Sequence, residues 1–511
     1  MLALLDGFPL RTTAVQLTVD GERAFAVAAP APFTFYVDTS FNVTRIYPLG
    51  GPIRGGTLMH LYLIDDRLLV DLGGEMYGPA CRFSYFEMSP SRDRMIGRST
   101  IVRANLTNCQ GLRSCGAGWH AMRCEVPPYH GPTGVDGAMD VTVEATINGQ
   151  DFTTSGRTFR YYDPASWRVL SFAPLGGPLT GNTSVTIQGN LLQSLGDVRC
   201  RFGEHEAHEE VNATFTLDSF LTCTSPPHWA QSKDLQHVEL QVTLNGQDYL
   251  TFGLQATQVF TYYRLNGPTH GQGLSVVRLS PHGGPGVGGT LVTVIGTGFT
   301  DLALGGGGLM CSFGSAQPSP ATMVDGIEDS KVKCYSPPSR NSTAFEVQPV
   351  EVTINGQLHA STNSGIGFSV YQRQDVRVSK IYPRGGPEAG GLLVTVYGKG
   401  FVDLDHGHGL FCSFGDREKN LSPASAASAE VLTCISPPRM SPEEHESCPA
   451  GLRSSVPLRI TLNGNNSADG GTSAFTADKT SELLRWHYFQ SQQVGTTGSH
   501  DGKGVVQTFP V

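Results

Sequence analysis

A chain of 511 residues exceeds what one hydrophobic core organises, because single cores stop growing at roughly 250–300 residues, so several domains are required. With 62 Gly, 32 Pro and 16% charged residues, the composition favours short strands broken by turns over long helices, and no segment sustains a capped 3.6-residue apolar period. The net charge of -9 and the absence of basic runs speak against nucleic-acid binding, and no window of 18 apolar residues offers a membrane-spanning helix.

The first residues, MLALLDGFPL, place Asp6 in too short an apolar run for a signal peptide. Val15–Glu22 (VQLTVDGE) and Phe33–Val37 (FTFYV) match the closing landmarks of the units that follow. Residues 1–38 therefore read as the C-terminal half of a truncated repeat, and the chain as a fragment whose missing leader says little about export. From there, five or six landmarks recur in one order, four times. A strand and proline run into Gly-Gly-Pro at RIYPLGGP (Arg45–Pro52), SFAPLGGP (Ser171–Pro178), RLSPHGGP (Arg278–Pro285) and KIYPRGGP (Lys380–Pro387). Three of these lead into GNTSVTIQG (Gly181–Gly189), GGTLVTVIGTGF (Gly288–Phe299) and GGLLVTVYGKGF (Gly390–Phe401). A first cysteine follows at Cys81, Cys200, Cys311 and Cys412, and a second before Pro-Pro at Cys124, Cys223, Cys334 and Cys434. Next come VEATINGQ (Val143–Gln150), LQVTLNGQ (Leu240–Gln247), VEVTINGQ (Val350–Gln357) and LRITLNGN (Leu458–Asn465), then a closing aromatic strand. The period of about 100–125 residues is that of a domain, not a solenoid unit.

Alternating Val-Thr-Val predicts half-buried strands. Asn-Gly predicts a tight type I′ hairpin, with both residues at positive φ. Pro-x-Gly-Gly-Pro predicts a turn between strands, and Pro-Pro a strand end. Short strands punctuated in this way predict an all-β chain of tandem immunoglobulin-like β-sandwich domains.

Together these motifs resemble the IPT/TIG family, an immunoglobulin-like fold found in plexin and growth-factor-receptor ectodomains, in fibrocystin-like surface proteins, and in some transcription factors and bacterial carbohydrate-active enzymes. The resemblance runs from Val15 to Phe489 and divides the chain into repeats at 43–163, 167–264, 275–372 and 376–489, with a polar tail at 490–511. The first repeat departs most, with RGGTLMHLYLID in place of the Val-Thr-Val strand and an insertion between Phe83 and Cys109. Extracellular members of the family carry a strand-bridging disulfide, which implies the pairs Cys81–Cys124, Cys200–Cys223, Cys311–Cys334 and Cys412–Cys434. Cys109–Cys115 is expected as a local pair within the insertion, and Cys448 is left over. Sequons stand at Asn42, Asn105, Asn182, Asn212, Asn341, Asn420 and Asn465, with Pro423 disfavouring Asn420. Cysteine pairing and sequons agree on an extracellular or cell-surface location.

Other constellations read as structure. HEAH (His205–His208) is one residue short of a zinc-protease motif, and short cysteine knuckles for zinc are absent. DLDHGHG (Asp403–Gly409) gathers two Asp and two His but lacks the closing Glu of a calcium loop, so a flexible inter-strand loop is expected rather than a weak cation site. Gly305–Gly308 and GTGF are followed by no Lys-Ser/Thr and make no phosphate cradle. Trp119-His120 and Trp486-His487 are read as packing or edge aromatics rather than sugar platforms. No catalytic, cofactor or metal residue is assigned. The leading functional expectation is a non-catalytic adhesion or ligand-binding ectodomain whose partner is an extracellular protein or glycan, with membrane attachment only through a segment outside this chain. The alternative is a set of accessory modules of a larger extracellular carbohydrate-active enzyme. A DNA-binding TIG domain is opposed by the acidic charge, the paired cysteines and the sequons.

Overall fold

The structure is a computed structural model that describes residues 10–14, 17–18, 24–25, 32–36, 42–63, 78–88, 95–108, 120–203, 209–217, 219–228, 235–253, 259–265, 273–303, 307–324, 331–339, 346–358, 361–415, 421–439, 454–464 and 484–489. These form strands joined by turns, with a short 3-10 turn at Arg373–Asp375. The chain is an all-β succession of immunoglobulin-like sandwiches, grouped into two compact units, Met1–Arg264 with Leu302–Leu304 and Leu265–Asp301 with Gly305–Val511.

Residues 168–263 illustrate the circuit. Arg168–Ala173 pairs antiparallel with Ser184–Asn190, which pairs with Phe220–Thr224. Glu209–Leu217 joins the two faces, pairing at its start with Arg199–Phe202 and towards its end with Phe220–Thr224. The second face continues through Gln236–Thr243 to the closing strand Val259–Tyr263. Alternation places Val185 and Ile187 in the core, fully buried, while Ser184, Thr186 and Gln188 face solvent. The same order of pairings recurs through 43–162, 275–371 and 377–489. In the first of these, Leu58–Leu63 takes the place of the Val-Thr-Val strand, and the insertion extends a hairpin of Ala80–Met88 with Met95–Asn108.

Two local expectations are corrected. Gly-Gly-Pro is not simply a turn: Gly50–Pro52, Gly176–Pro178, Gly283–Pro285 and Gly385–Pro387 are short strands, each parallel to its closing aromatic strand. Only the prolines lack an N–H, so the glycines retain the ladder groups that allow this pairing. Nor is Asn-Gly a type I′ turn. Gly149, Gly246, Gly356 and Gly464 have φ near +75°, but the preceding asparagines are not left-handed. Asn148, Asn245 and Asn355 instead accept following backbone N–H groups on Oδ1, so the side chain closes the turn in place of a second positive φ.

Candidate interaction surfaces

In each sandwich a disulfide crosses the core, linking Cys81 to Cys124, Cys200 to Cys223, Cys311 to Cys334 and Cys412 to Cys434 with Cα atoms 6.3–6.4 Å apart. All eight sulfurs belong to residues at most 2% exposed. Cys109, Cys115 and Cys448 lie outside the described residues. Of the sequons, Asn42, Asn105, Asn182 and Asn212 are exposed; Asn341, Asn420 and Asn465 lie outside the described residues.

The Asn-Gly turn also forms a joint between neighbouring sandwiches. In the first unit Asn245 Nδ2 donates to Gly50 O at 3.0 Å, and Thr57 Oγ1 donates to Asp248 Oδ2 at 2.6 Å. Gln247 clips the backbone of Leu58 from both sides at 2.9 Å. Leu49 N donates to Leu195 O at 2.7 Å, and the Leu195 side chain fills the space that a Cβ on Gly50 would need. Trp167, fully buried, stacks on Tyr162 at 5.2 Å and donates its indole N–H to Asp136 O. The second unit repeats the device: Asn463 Nδ2 donates to Gly283 O at 3.2 Å, and His282 N donates to Leu404 O at 2.8 Å. The sequence marked Asn-Gly only as a turn, and Leu195, Leu404 and Trp167 went unnoticed. Aligning the repeats on one another shows the leucine shared by QSLGD and DLDHG.

DLDHGHG belongs to this joint. Asp403 accepts N–H groups from Asp405, Gly407 and Gly409, so its carboxylate is spent on its own loop. Ser280 Oγ donates to Asp405 Oδ1 at 2.7 Å, His406 Nε2 lies 3.0 Å from Leu279 O, and the His406 ring packs 4.6 Å from that of His282. The loop is thereby held, not loose. Burial, then the neighbouring His406, lowers the His282 pKa, against the opposing pull of Asp403 and Asp405. No three metal-ligating side chains converge among the described residues. HEAH and Trp119 lie outside them, Gly307 and Gly308 donate to Asp301, and Trp486 is a fully buried core residue.

Tyrosines finish each core except one. Tyr161, Tyr262 and Tyr488 of the closing strands donate their hydroxyls to Pro127 O, Pro226 O and Pro437 O at 2.7, 3.0 and 3.2 Å. Burial raises the Tyr161 and Tyr262 pKa values well above the ordinary phenol. In residues 275–371 the corresponding position is Val370, and a cavity of about 290 Å³ opens beside Pro337–Pro338.

The IPT/TIG domain model matches residues 168–262 and 274–370. Residues 168–262 and 274–370 are tandem IPT/TIG domains. The segments 43–162 and 377–489 share the strand order of the matched pair. Comparison with curated proteins finds no match. Among solved structures the chain is similar to the plexin A4 full extracellular region, at 14% identity and a TM-score of 0.36, covering 94% of this chain and 44% of that one. It is also similar to chicken CNTN1 FN1-FN3 domains (10% identity, TM-score 0.18, covering 65% and 99%) and to the human Desmocollin-1 ectodomain (8%, 0.15, covering 89% and 81%). The chain spans under half the length of the plexin A4 chains it matches. Among the described residues no helix is long and apolar enough to cross a membrane.

Proposed function

We propose that this chain is a non-catalytic extracellular recognition ectodomain built from four IPT/TIG repeats, at 43–163, 167–264, 275–372 and 376–489. The observation that carries this reading is the buried cystine repeated at one place in every sandwich, a cross-link that persists in oxidising compartments. Exposed sequons at Asn42, Asn105, Asn182 and Asn212 support the same compartment. On this reading Cys109 and Cys115 form a local fifth bridge in the first repeat. Asp301, Asp403 and His406 are engaged in turns and joints and Trp486 in a core, and on this reading the loops at the sandwich ends and the strand faces do the binding. Partners are extracellular proteins or glycans.

The test is expression through a eukaryotic secretory pathway. The reading expects export, loss of mass on enzymatic removal of N-glycans, and binding to a subset of cell-surface proteins or glycans without turnover of them. Retention in the cell as an unglycosylated, fully folded thiol protein would contradict it.

A further inference from the structure

In three sandwiches the space between the closing strand and the Pro-Pro segment is filled by a tyrosine ring. In the first two a second ring follows Pro-Pro and stacks on that tyrosine, Tyr129 on Tyr161 at 5.2 Å and His228 on Tyr262 at 4.8 Å. The 274–370 domain lacks both rings, since Val370 and Ser339 occupy these positions. A cavity of about 290 Å³ adjoins the Pro-Pro segment of this domain, lined by Pro337, Pro338, Ser339, Gln317, Glu346 and Gln348 among others. Its volume approaches that of small-ligand sites, roughly 300–1,000 Å³.

The lining is chemically specific. Glu346 stands directly opposite Val370 in the strand register, where Met139, Gln236 and Ser454 stand opposite the three tyrosines. Its Oε2 is buried and meets no hydrogen-bond donor among the described residues. A buried acceptor without a donor is costly and calls for a partner. The phenol that donates to the first proline carbonyl elsewhere is missing at Pro337. Gln348 Nε2 donates to Ser339 Oγ at 3.1 Å and fixes the rim.

We propose that this cavity binds an aromatic ring bearing a hydrogen-bond donor, a phenol above all, which takes the place of the missing tyrosine. Its hydroxyl would donate to Pro337 O, and a positively charged amine on the same molecule would meet Glu346. The ring comes either from a free phenolic amine or from a tyrosine of a partner protein. The site depends on the domain fold and not on the ectodomain reading, so the two stand or fall separately.

The test titrates the full chain with p-cresol, tyramine and N-acetyltyrosinamide, followed by saturation-transfer NMR and calorimetry. All three should bind, tyramine the tightest through Glu346. Val370→Tyr should restore the internal ring, raise the melting temperature and weaken every probe by about tenfold or more. Ser339→His refills the second ring position and should weaken binding in the same direction, should Val370→Tyr misfold. Glu346→Gln should weaken tyramine more than p-cresol. Preference for tyramine over N-acetyltyrosinamide by more than about tenfold assigns the site to a free amine; near-equal affinity assigns it to a protein tyrosine. The proposal is overturned if no probe binds, or if Val370→Tyr and Ser339→His bind as well as the parent chain.

Discussion

Asn245 concentrates several roles in one amide. Its Oδ1 accepts Gln247 N at 3.0 Å and Asp248 N at 2.8 Å, closing the turn, while its Nδ2 reaches Gly50 O of the preceding sandwich. Asn245→Ala removes these bonds and leaves buried backbone groups unpaired, so a loss of about 2–3 kcal/mol is expected, measured by chemical denaturation. Asn245→Asp keeps the acceptor and loses the donor, and should cost less in the turn than in the joint. At the same scale, Tyr262→Phe loses the hydroxyl and its bond to Pro226 O and should cost about 1 kcal/mol in the same assay. The sequence showed Asn-Gly as a turn because turn chemistry is local. It could not show the joint, because the carbonyl of Gly50 lies 195 positions away and is brought there only by packing. The type I′ expectation failed for a related reason: an asparagine that can cap its own turn has no need of the left-handed region.

At the level of elements, the joint strand and loop of the second unit carry a pH dependence. The folded state holds His282 below its ordinary pKa, chiefly through burial, and His60 and His487 are lowered with it, burial again first. A histidine with a lowered folded pKa binds fewer protons folded than unfolded. Its contribution is therefore present above the unfolded value near 6.5 and is lost as pH falls through and below it. Melting temperature should fall between pH 7.5 and pH 5, and His282→Gln should flatten part of that fall. A profile unchanged by the substitution would remove His282 from the account. Strands themselves were legible wherever Val-Thr-Val alternation meets one solvent face, as in Ser184–Asn190 and Leu291–Thr297. Gly-Gly-Pro was not legible as a strand, because its pairing is with a closing strand more than 80 residues on and its composition signals only a break. DLDHGHG was legible as a loop, but its anchoring by Ser280 and Leu279 depends on a neighbour with no marker in the local sequence.

Across the whole molecule, one cystine per sandwich closes loops of 22 to 43 residues. Loop entropy assigns each about 3–4 kcal/mol, so reduction under mild denaturant should lower the melting temperature of every sandwich, visible by calorimetry with and without reductant. The repeat plan was legible because the same motifs recur in one order along the chain. The vacancy at Val370 was equally open to inspection in the sequence, but it gains meaning only once the tyrosines of the other sandwiches are seen to fill the same space. The measurement that bears most directly on the account is peptide mapping of the secreted, unreduced chain by mass spectrometry. The account predicts cross-linked peptides joining Cys81 to Cys124, Cys200 to Cys223, Cys311 to Cys334 and Cys412 to Cys434. Free thiols at these eight positions in folded native protein would contradict it.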